Sequence, residues 1–311
     1  MAAVHRGRDR QTGLDVAIKA LLRPDDASRA RFDREADVLA RLSHPGIAAY
    51  VARGTDDEGR PYLVMRWAEG HTLTERLAGG GAMTAAAAID LGVRVLDALE
   101  AIHETGVVHR DVKPSNIVVG DDGHVTIVDL GIAHDPRADT VTSPGLVIGT
   151  LGYLAPEQAR EAGAVDARAD VFSVGCVLFA ALTATPPFRA DTALAMLTKL
   201  LFEDAPRARE RAPTVPPLLD AIVARMMAKE PERRYGSAAE ARAALERARE
   251  NVCGLTEPVV STREARLFSI LLAHGAGRAG LAASRRAEAS LVARHAGGAR
   301  QRRARGALVR R

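Results

Sequence analysis

The sequence predicts an α+β fold in two parts, a small antiparallel sheet carrying one helix and then a larger, mostly helical part. Three observations lead there. Short apolar runs separated by polar turns fill about the first seventy residues, and from about His71 onward the apolar spacing becomes helical. Two stretches, beginning near Thr84 and Asp170, are apolar on nearly every helical face and belong inside a core.

Taken in order, Ala2 to Arg6 and Leu14 to Ala20 read as strands joined by the polar turn Asp9-Arg10-Gln11-Thr12-Gly13. Arg29 to Leu42 places Phe32, Ala36 and Leu39 on one helical face, and His44-Pro45-Gly46 stops the helix. Ile47 to Arg53 and Tyr62 to Trp67 read as two further strands around the acidic turn from Asp56 to Gly59. Thr84 is the expected N-cap of a long helix through His103, closed by Gly106. Asp170 precedes a second buried helix, Val171 to Leu182, and as local chemistry reads as its N-cap. Helices are also expected over Thr192 to Phe202, Pro217 to Ala228 and Ala238 to Glu250.

Composition excludes several classes. With 47% apolar and 26% charged residues among 311, neither wholesale disorder nor a fibrous repeat is expected. The two cysteines, Cys176 and Cys253, make no disulfide framework and no Cys-x-x-Cys pair, as suits a reducing compartment. The longest apolar run, Val171 to Ala184, is too short to span a bilayer, and no secretory pattern follows Met1, so a soluble, cytoplasmic chain is expected. From Leu255 to Arg311 there are twelve arginines against three glutamates and no lysine, a local charge of +9, which leaves −5 on the rest of a chain whose total is +4. The basic balance therefore belongs to the tail, and arginines without interleaved aromatics make nucleic acid an unexpected partner. The expected organisation is 1–68, 69–250, and a linker with an Arg-rich, disordered tail over 251–311.

The chemistry-bearing residues lie between and around the two buried helices. His109-Arg110-Asp111-Val112-Lys113-Pro114-Ser115-Asn116 is followed, thirteen residues after the asparagine, by Asp129-Leu130-Gly131, and then by Gly149-Thr150-Leu151-Gly152-Tyr153-Leu154-Ala155-Pro156-Glu157. Upstream, Val16-Ala17-Ile18-Lys19 sits on the second strand and Glu35 on the first helix. Singly, each reads as an ordinary turn, strand or solvated helix charge. Together, in this order, they resemble the signature set of protein kinases, in wording close to the bacterial members of the serine/threonine branch, over roughly residues 1 to 250.

The resemblance implies a two-lobed fold with ATP and magnesium, or manganese, between the lobes, and phosphorylation of Ser or Thr hydroxyls on protein substrates. Such transfer needs positioning and charge neutralisation more than covalent chemistry. On that pattern Asp111 takes the proton of the substrate hydroxyl and Lys113 stabilises the transferring phosphoryl, while Asn116 and Asp129 offer magnesium hard oxygen ligands. Lys19, positioned by Glu35, holds the α- and β-phosphates; Met65 stands at the back of the adenine pocket, Arg66 to Ala68 form the hinge, and Val4 and Ala17 line the nucleotide site. Asp170 matches the aspartate that anchors the catalytic-loop backbone, and Glu157 is expected to pair with Arg234. Arg110 beside Asp111 implies regulation by activation-loop phosphorylation, with Thr140 and Thr142 favoured over Ser143, Thr150 being reserved for the substrate platform, and a dimer serving phosphorylation in trans.

Three departures qualify the match. Met1-Ala2-Ala3-Val4-His5 corresponds only to the end of the pattern Gly-x-Gly-x-x-Gly-x-Val, with Ala2 at its third glycine, so the first strand and the start of the glycine-rich loop are expected to lie upstream of Met1 or to be missing. The alternative expectation is accordingly a catalytically weak, kinase-like scaffold or regulatory module. Leu130 replaces the usual phenylalanine, retaining an apolar anchor beside Asp129. Ser261 to Leu272 is faintly similar to the start of a nucleotide-cyclase-like domain and reads as a fragment.

Overall fold

The computed structural model describes residues 2–22, 25–131, 151–160 and 165–254. Four strands form the first sheet: β1 (Ala2–Arg8), β2 (Asp15–Leu21), β3 (Tyr50–Thr55) and β4 (Pro61–Arg66), all antiparallel, in the order β1-β2-β4-β3. The β1–β2 turn is built by Asp9, whose carboxylate accepts from the Gln11 amide and the Thr12 hydroxyl, and by Gly13 at φ +70°. Val4 stands opposite Lys19 across β1–β2, and Ala17 opposite Met65 across β2–β4, so register alone brings four of the expected site residues together.

Two boundaries differ from expectation for clear reasons. The helix expected over Arg29 to Leu42 is α1 (Asp26–Leu39): Asp25 and Ser28 form a capping box that starts it earlier. Its C-terminal end tightens into i→i+3 bonds from the Arg41 and Leu42 amides to Val38 and Leu39. The strand expected from Ile47 begins only at Tyr50, because Ile47 bridges to Ile127 and the Ala48 amide donates to the Ile127 carbonyl at 2.9 Å, which ties this segment to the second part of the molecule.

That second part is mostly helical, and it contains a small sheet that periodicity did not predict: β5 (His71–Thr72), β6 (Ile117–Val119) and β7 (Val125–Ile127). Strands of two or three residues are too short to show alternation. Next to it lie α2 (Leu73–Gly80), whose Thr72 and Glu75 form a second capping box, and α3 (Ala85–Glu104), capped by Thr84 as expected. Along the chain follow α4 (Pro156–Ala159), α5 (Arg168–Thr183), α6 (Ala193–Phe202), α7 (Ala208–Arg211), α8 (Pro217–Met226) and α9 (Ala238–Gly254). Every residue of α5 from Ala169 to Leu182 is buried, and it packs against α3 on one side and α8 on another. Asp170 is not an N-cap: α5 starts at Arg168, and Asp170 lies inside the first turn with its carboxylate turned to the loop after α3. Met1–Cys253 form one compact unit. Of the linker and tail expected over 251–311, residues 251–254 continue α9, and 255–311 lie outside the described residues. Among the described residues, no helix is long and apolar enough to cross a membrane.

Candidate active site

On the sheet side, the site is a cation held by two carboxylates. Lys19 is 7% exposed, and its Nζ lies 2.7 and 2.9 Å from Glu35 Oε1 and Oε2 and 2.7 Å from Asp129 Oδ1. Glu35 follows the helical spacing of Phe32, Ala36 and Leu39, so α1 turns a carboxylate inward among apolar side chains, where it is fully buried. Burial by itself would lower the Lys19 pKa, but Asp129 and Glu35 outweigh it and hold the ammonium charged above its ordinary range. Burial pushes Glu35 up from the carboxylate range, against the pull of Lys19 and with the help of the Asp129 charge. Asp129 goes the other way: burial opposes its charge, and the adjacent ammonium more than compensates.

On the helical side, the segment from His109 to Asn116 is held by its own backbone. Asp170 Oδ2 accepts the His109 amide and Asp170 Oδ1 the Arg110 amide, each at 2.8 Å, and His103 Nε2 donates to the same carboxylate at 2.7 Å. Arg110 adopts the left-handed conformation, φ +68°, uncommon outside glycine. The Asp111 amide donates to His109 Nδ1 at 3.2 Å. Lys113 Nζ lies 2.7 Å from Asp111 Oδ2, and Asn116 Nδ2 donates to the Asp111 carbonyl at 2.9 Å and to Asp111 Oδ2 at 3.1 Å. Asp111, Lys113 and Asn116 are thus one bonded group. Gly131 closes against them; a Cβ there would fall 2.5 Å from both Asp111 Cβ and the His109 carbonyl oxygen. That contact, rather than turn geometry, explains the glycine after Asp129-Leu130.

A cavity of about 460 Å³ lies between the two groups and is lined by Val4, Ala17, Lys19, Met65, Arg66, Ala68, Asn116 and Asp129 among others. Eight of the expected residues therefore face one space, with Glu35 behind Lys19 and Asp111 and Lys113 joined through Asn116. Met65 is 3% exposed and serves as packed wall. Asn116 and Asp129 supply one amide oxygen and one carboxylate, and no cluster of three or more His, Cys, Asp or Glu is found among the described residues. This donor set fits magnesium, which keeps waters and substrate phosphates as its other ligands.

Sequence reasoning also missed contacts. Glu157 and Arg234 pair as expected, at 2.6 and 2.7 Å, but Arg234 further donates to the carbonyls of Ala228, Arg168 and Lys229, so each of its nitrogens is bonded. Ser173 on α5 donates to the Tyr153 carbonyl at 2.8 Å. Gln158 donates to the Arg110 carbonyl at 2.8 Å and accepts from the Ala155 amide at 3.1 Å. Its position directly after Ala155-Pro156-Glu157 was the available signal. Thr140, Thr142, Ser143 and Thr150 lie outside the described residues.

A sheet-borne lysine locked to a helix glutamate thus faces an aspartate-lysine-asparagine loop across a cavity of about 460 Å³. The family profile described as "Protein kinase domain" matches residues 1–246, and the chain belongs to that family. It is 40% identical over 291 residues to serine/threonine-protein kinase PknB of Mycolicibacterium smegmatis, covering 91% of this chain and 46% of that one. To PknB of Mycobacterium tuberculosis it is 41% identical over 257 residues, 79% of this chain and 41% of the other. To the probable serine/threonine-protein kinase PknB of Bifidobacterium longum it is 38% identical over 253 residues, 77% and 36% respectively. The chain spans less than half the length of these curated relatives.

Proposed function

We propose that the chain catalyses ATP-dependent phosphorylation of serine and threonine hydroxyls on protein substrates. The observation that carries this is the convergence of two separately built groups on one cavity: Lys19 with Glu35 and Asp129, and Asp111 with Lys113 and Asn116. Both groups being assembled supports an enzyme over the scaffold reading. Adenine lies against Val4, Ala17 and Met65 and bonds the backbone of Arg66 to Ala68. Lys19, its ammonium steered by Glu35, binds the α- and β-phosphates. Asp111 orients the substrate hydroxyl and takes its proton as the oxygen bonds the γ-phosphorus and the bond to the β-bridging oxygen breaks. Lys113 neutralises charge on the phosphoryl in flight. Asn116 and Asp129 hold magnesium or manganese, whose charge stabilises the phosphate oxygens. We further infer a cytoplasmic signalling enzyme, divided near 68–69 into its two lobes, activated by phosphorylation at Thr140 and Thr142 within a dimer.

The test is phosphate transfer from γ-labelled ATP with magnesium to a generic basic protein substrate by the full chain. Asp111→Asn is expected to abolish transfer with its melting temperature and ATP affinity kept, whereas Asp129→Asn should also weaken binding of Mg-ATP. Undiminished labelling by Asp111→Asn would sink the assignment.

A further inference from the structure

Immediately before Asp111 the backbone takes a conformation it would not keep unaided. Arg110 stands at φ +68°, and the peptide that joins it to Asp111 is pinned at both polar ends. Its N–H goes to His109 Nδ1 at 3.2 Å, within the same loop. Its carbonyl accepts from Gln158 Nε2 at 2.8 Å, and Gln158 belongs to α4, 48 residues further along the chain. The orientation of this side-chain amide is not open to exchange: its oxygen faces the Ala155 N–H at 3.1 Å and its nitrogen faces a carbonyl, so the reversed amide would set like against like at both ends. Gln158 is 9% exposed, so water is a poor substitute for either bond.

The neighbouring contacts close a circuit. Asp170 on α5 takes the His109 and Arg110 amides, Ser173 one turn later takes the Tyr153 carbonyl, and Gln158 joins the segment after Tyr153 back to the Arg110 carbonyl. Asp170 fixes the N–H groups on one side of the left-handed residue. Among the described residues, only Gln158 fixes the carbonyl on the other side, the one from which Asp111 follows. The side chain of Asp111 hangs directly on that peptide plane, so its aim depends on the plane not rotating.

We infer that Gln158 is a positioning residue for Asp111: its amide locks the Arg110–Asp111 peptide, so that the α4 segment sets the orientation of the proton acceptor. The inference rests on the kinase reading given above, and nothing in Gln158 touches ATP or the hydroxyl. Two variants separate its two bonds. Gln158→Met removes both. Gln158→Glu keeps the acceptor for the Ala155 amide and alters only the contact to Arg110, where an ionised carboxylate would face a carbonyl oxygen, while the protonated acid, nearly isosteric with the amide, would again donate to it.

The experiment measures kcat, and KM for ATP, for the full chain from pH 6 to pH 8.5, each variant divided by wild type at the same pH. Gln158→Met is expected to lose about tenfold in kcat, the worth of one hydrogen bond felt at the reacting geometry, with KM for ATP unchanged and the ratio flat with pH. Gln158→Glu is expected to fall below Gln158→Met at pH 8.5 and to recover toward wild type as pH falls. A kcat for Gln158→Met within twofold of wild type, or the same pH-independent loss for both variants, would overturn the inference. Should Gln158→Glu fail to fold, Gln158→Met decides alone. Hydrogen exchange of the His109–Asn116 amides in the nucleotide-free protein gives a reading independent of catalysis: faster exchange there in Gln158→Met, with an unchanged melting temperature, supports the lock, and unchanged exchange refutes it. Absence of transfer by wild type, or transfer unaffected by Asp111→Asn, would instead count against the kinase reading, and the exchange result would then settle the positioning claim alone.

Discussion

Replacing Glu157 by glutamine tests how strongly α4 is bolted to the rest of the helical part. The Arg234 side chain is fully buried, and Glu157, 17% exposed, faces it with both oxygens at 2.6 and 2.7 Å. The three carbonyls that Arg234 also reaches solvate its guanidinium but carry no charge. Glu157→Gln therefore leaves a buried cation with dipoles alone, a change that costs about 3–5 kcal/mol when one member of a buried pair is removed. The lower figure applies, because glutamine retains one acceptor oxygen and the site is partly open. A loss of about 3 kcal/mol in a unit of this size lowers the melting temperature by roughly 6–12 °C. Calorimetry on wild type, Glu157→Gln, Arg234→Met and the double variant reads it directly. Arg234→Met is expected to lose more than Glu157→Gln, since three carbonyls lose their donor as well, and the double variant less than the sum of the two. A Glu157→Gln protein melting within 2 °C of wild type, or strict additivity, would refute the account of Arg234 as a charge that needs its partner.

Two further outcomes follow from the site. Gly131→Ala drives a Cβ to within 2.5 Å of Asp111 Cβ and the His109 carbonyl; it is expected to cost about 1–3 kcal/mol as overpacking and to reduce transfer more than tenfold, and an alanine variant with the wild-type rate would show that the loop yields freely. Lys19→Met leaves Glu35 and Asp129 facing each other without a cation, so one of them binds a proton in the folded state that the unfolded chain would release. Stability then falls as pH rises, and the melting gap from wild type should widen between pH 5 and pH 8; a constant gap would contradict the coupling.

The helical half of the fold was legible because buried helices announce themselves: α5 has no polar face to hide, and Thr84 caps its helix where the sequence placed the cap. The site was legible through spacing, since His109 to Asn116 is one continuous loop and Lys19 needs only strand register to meet Val4 and Leu63. The resemblance supplied some long-range pairs, Glu157 with Arg234 among them, but other features that depend on a distant partner could not be read. The strands β5 to β7 exist because neighbours complete them, and Ile47 leaves its expected strand for Ile127; for Asp170 the local reading as a cap fails, while the resemblance had it as the anchor of the loop backbone, whose His109 and Arg110 amides it takes. Gln158 belongs with these, a polar residue beside a known motif whose role is set by a carbonyl 48 positions away.

The unbroken burial of α5 from Ala169 to Leu182 also bears on how this sequence can vary. An amphipathic helix has an outward face on which substitutions accumulate every third or fourth residue, and variation along it is periodic. From Ala169 to Leu182 there is no such face. Its two polar side chains in the opening turns are already committed, Asp170 to the His109 and Arg110 amides and Ser173 to the Tyr153 carbonyl, while the apolar ones fill the space between α3 and α8. Tolerance along this helix is therefore uniformly low. A volume change on any side reaches either the helical scaffold or, within one turn, the loop that carries Asp111, and a lineage that altered α5 would have to alter its neighbours with it.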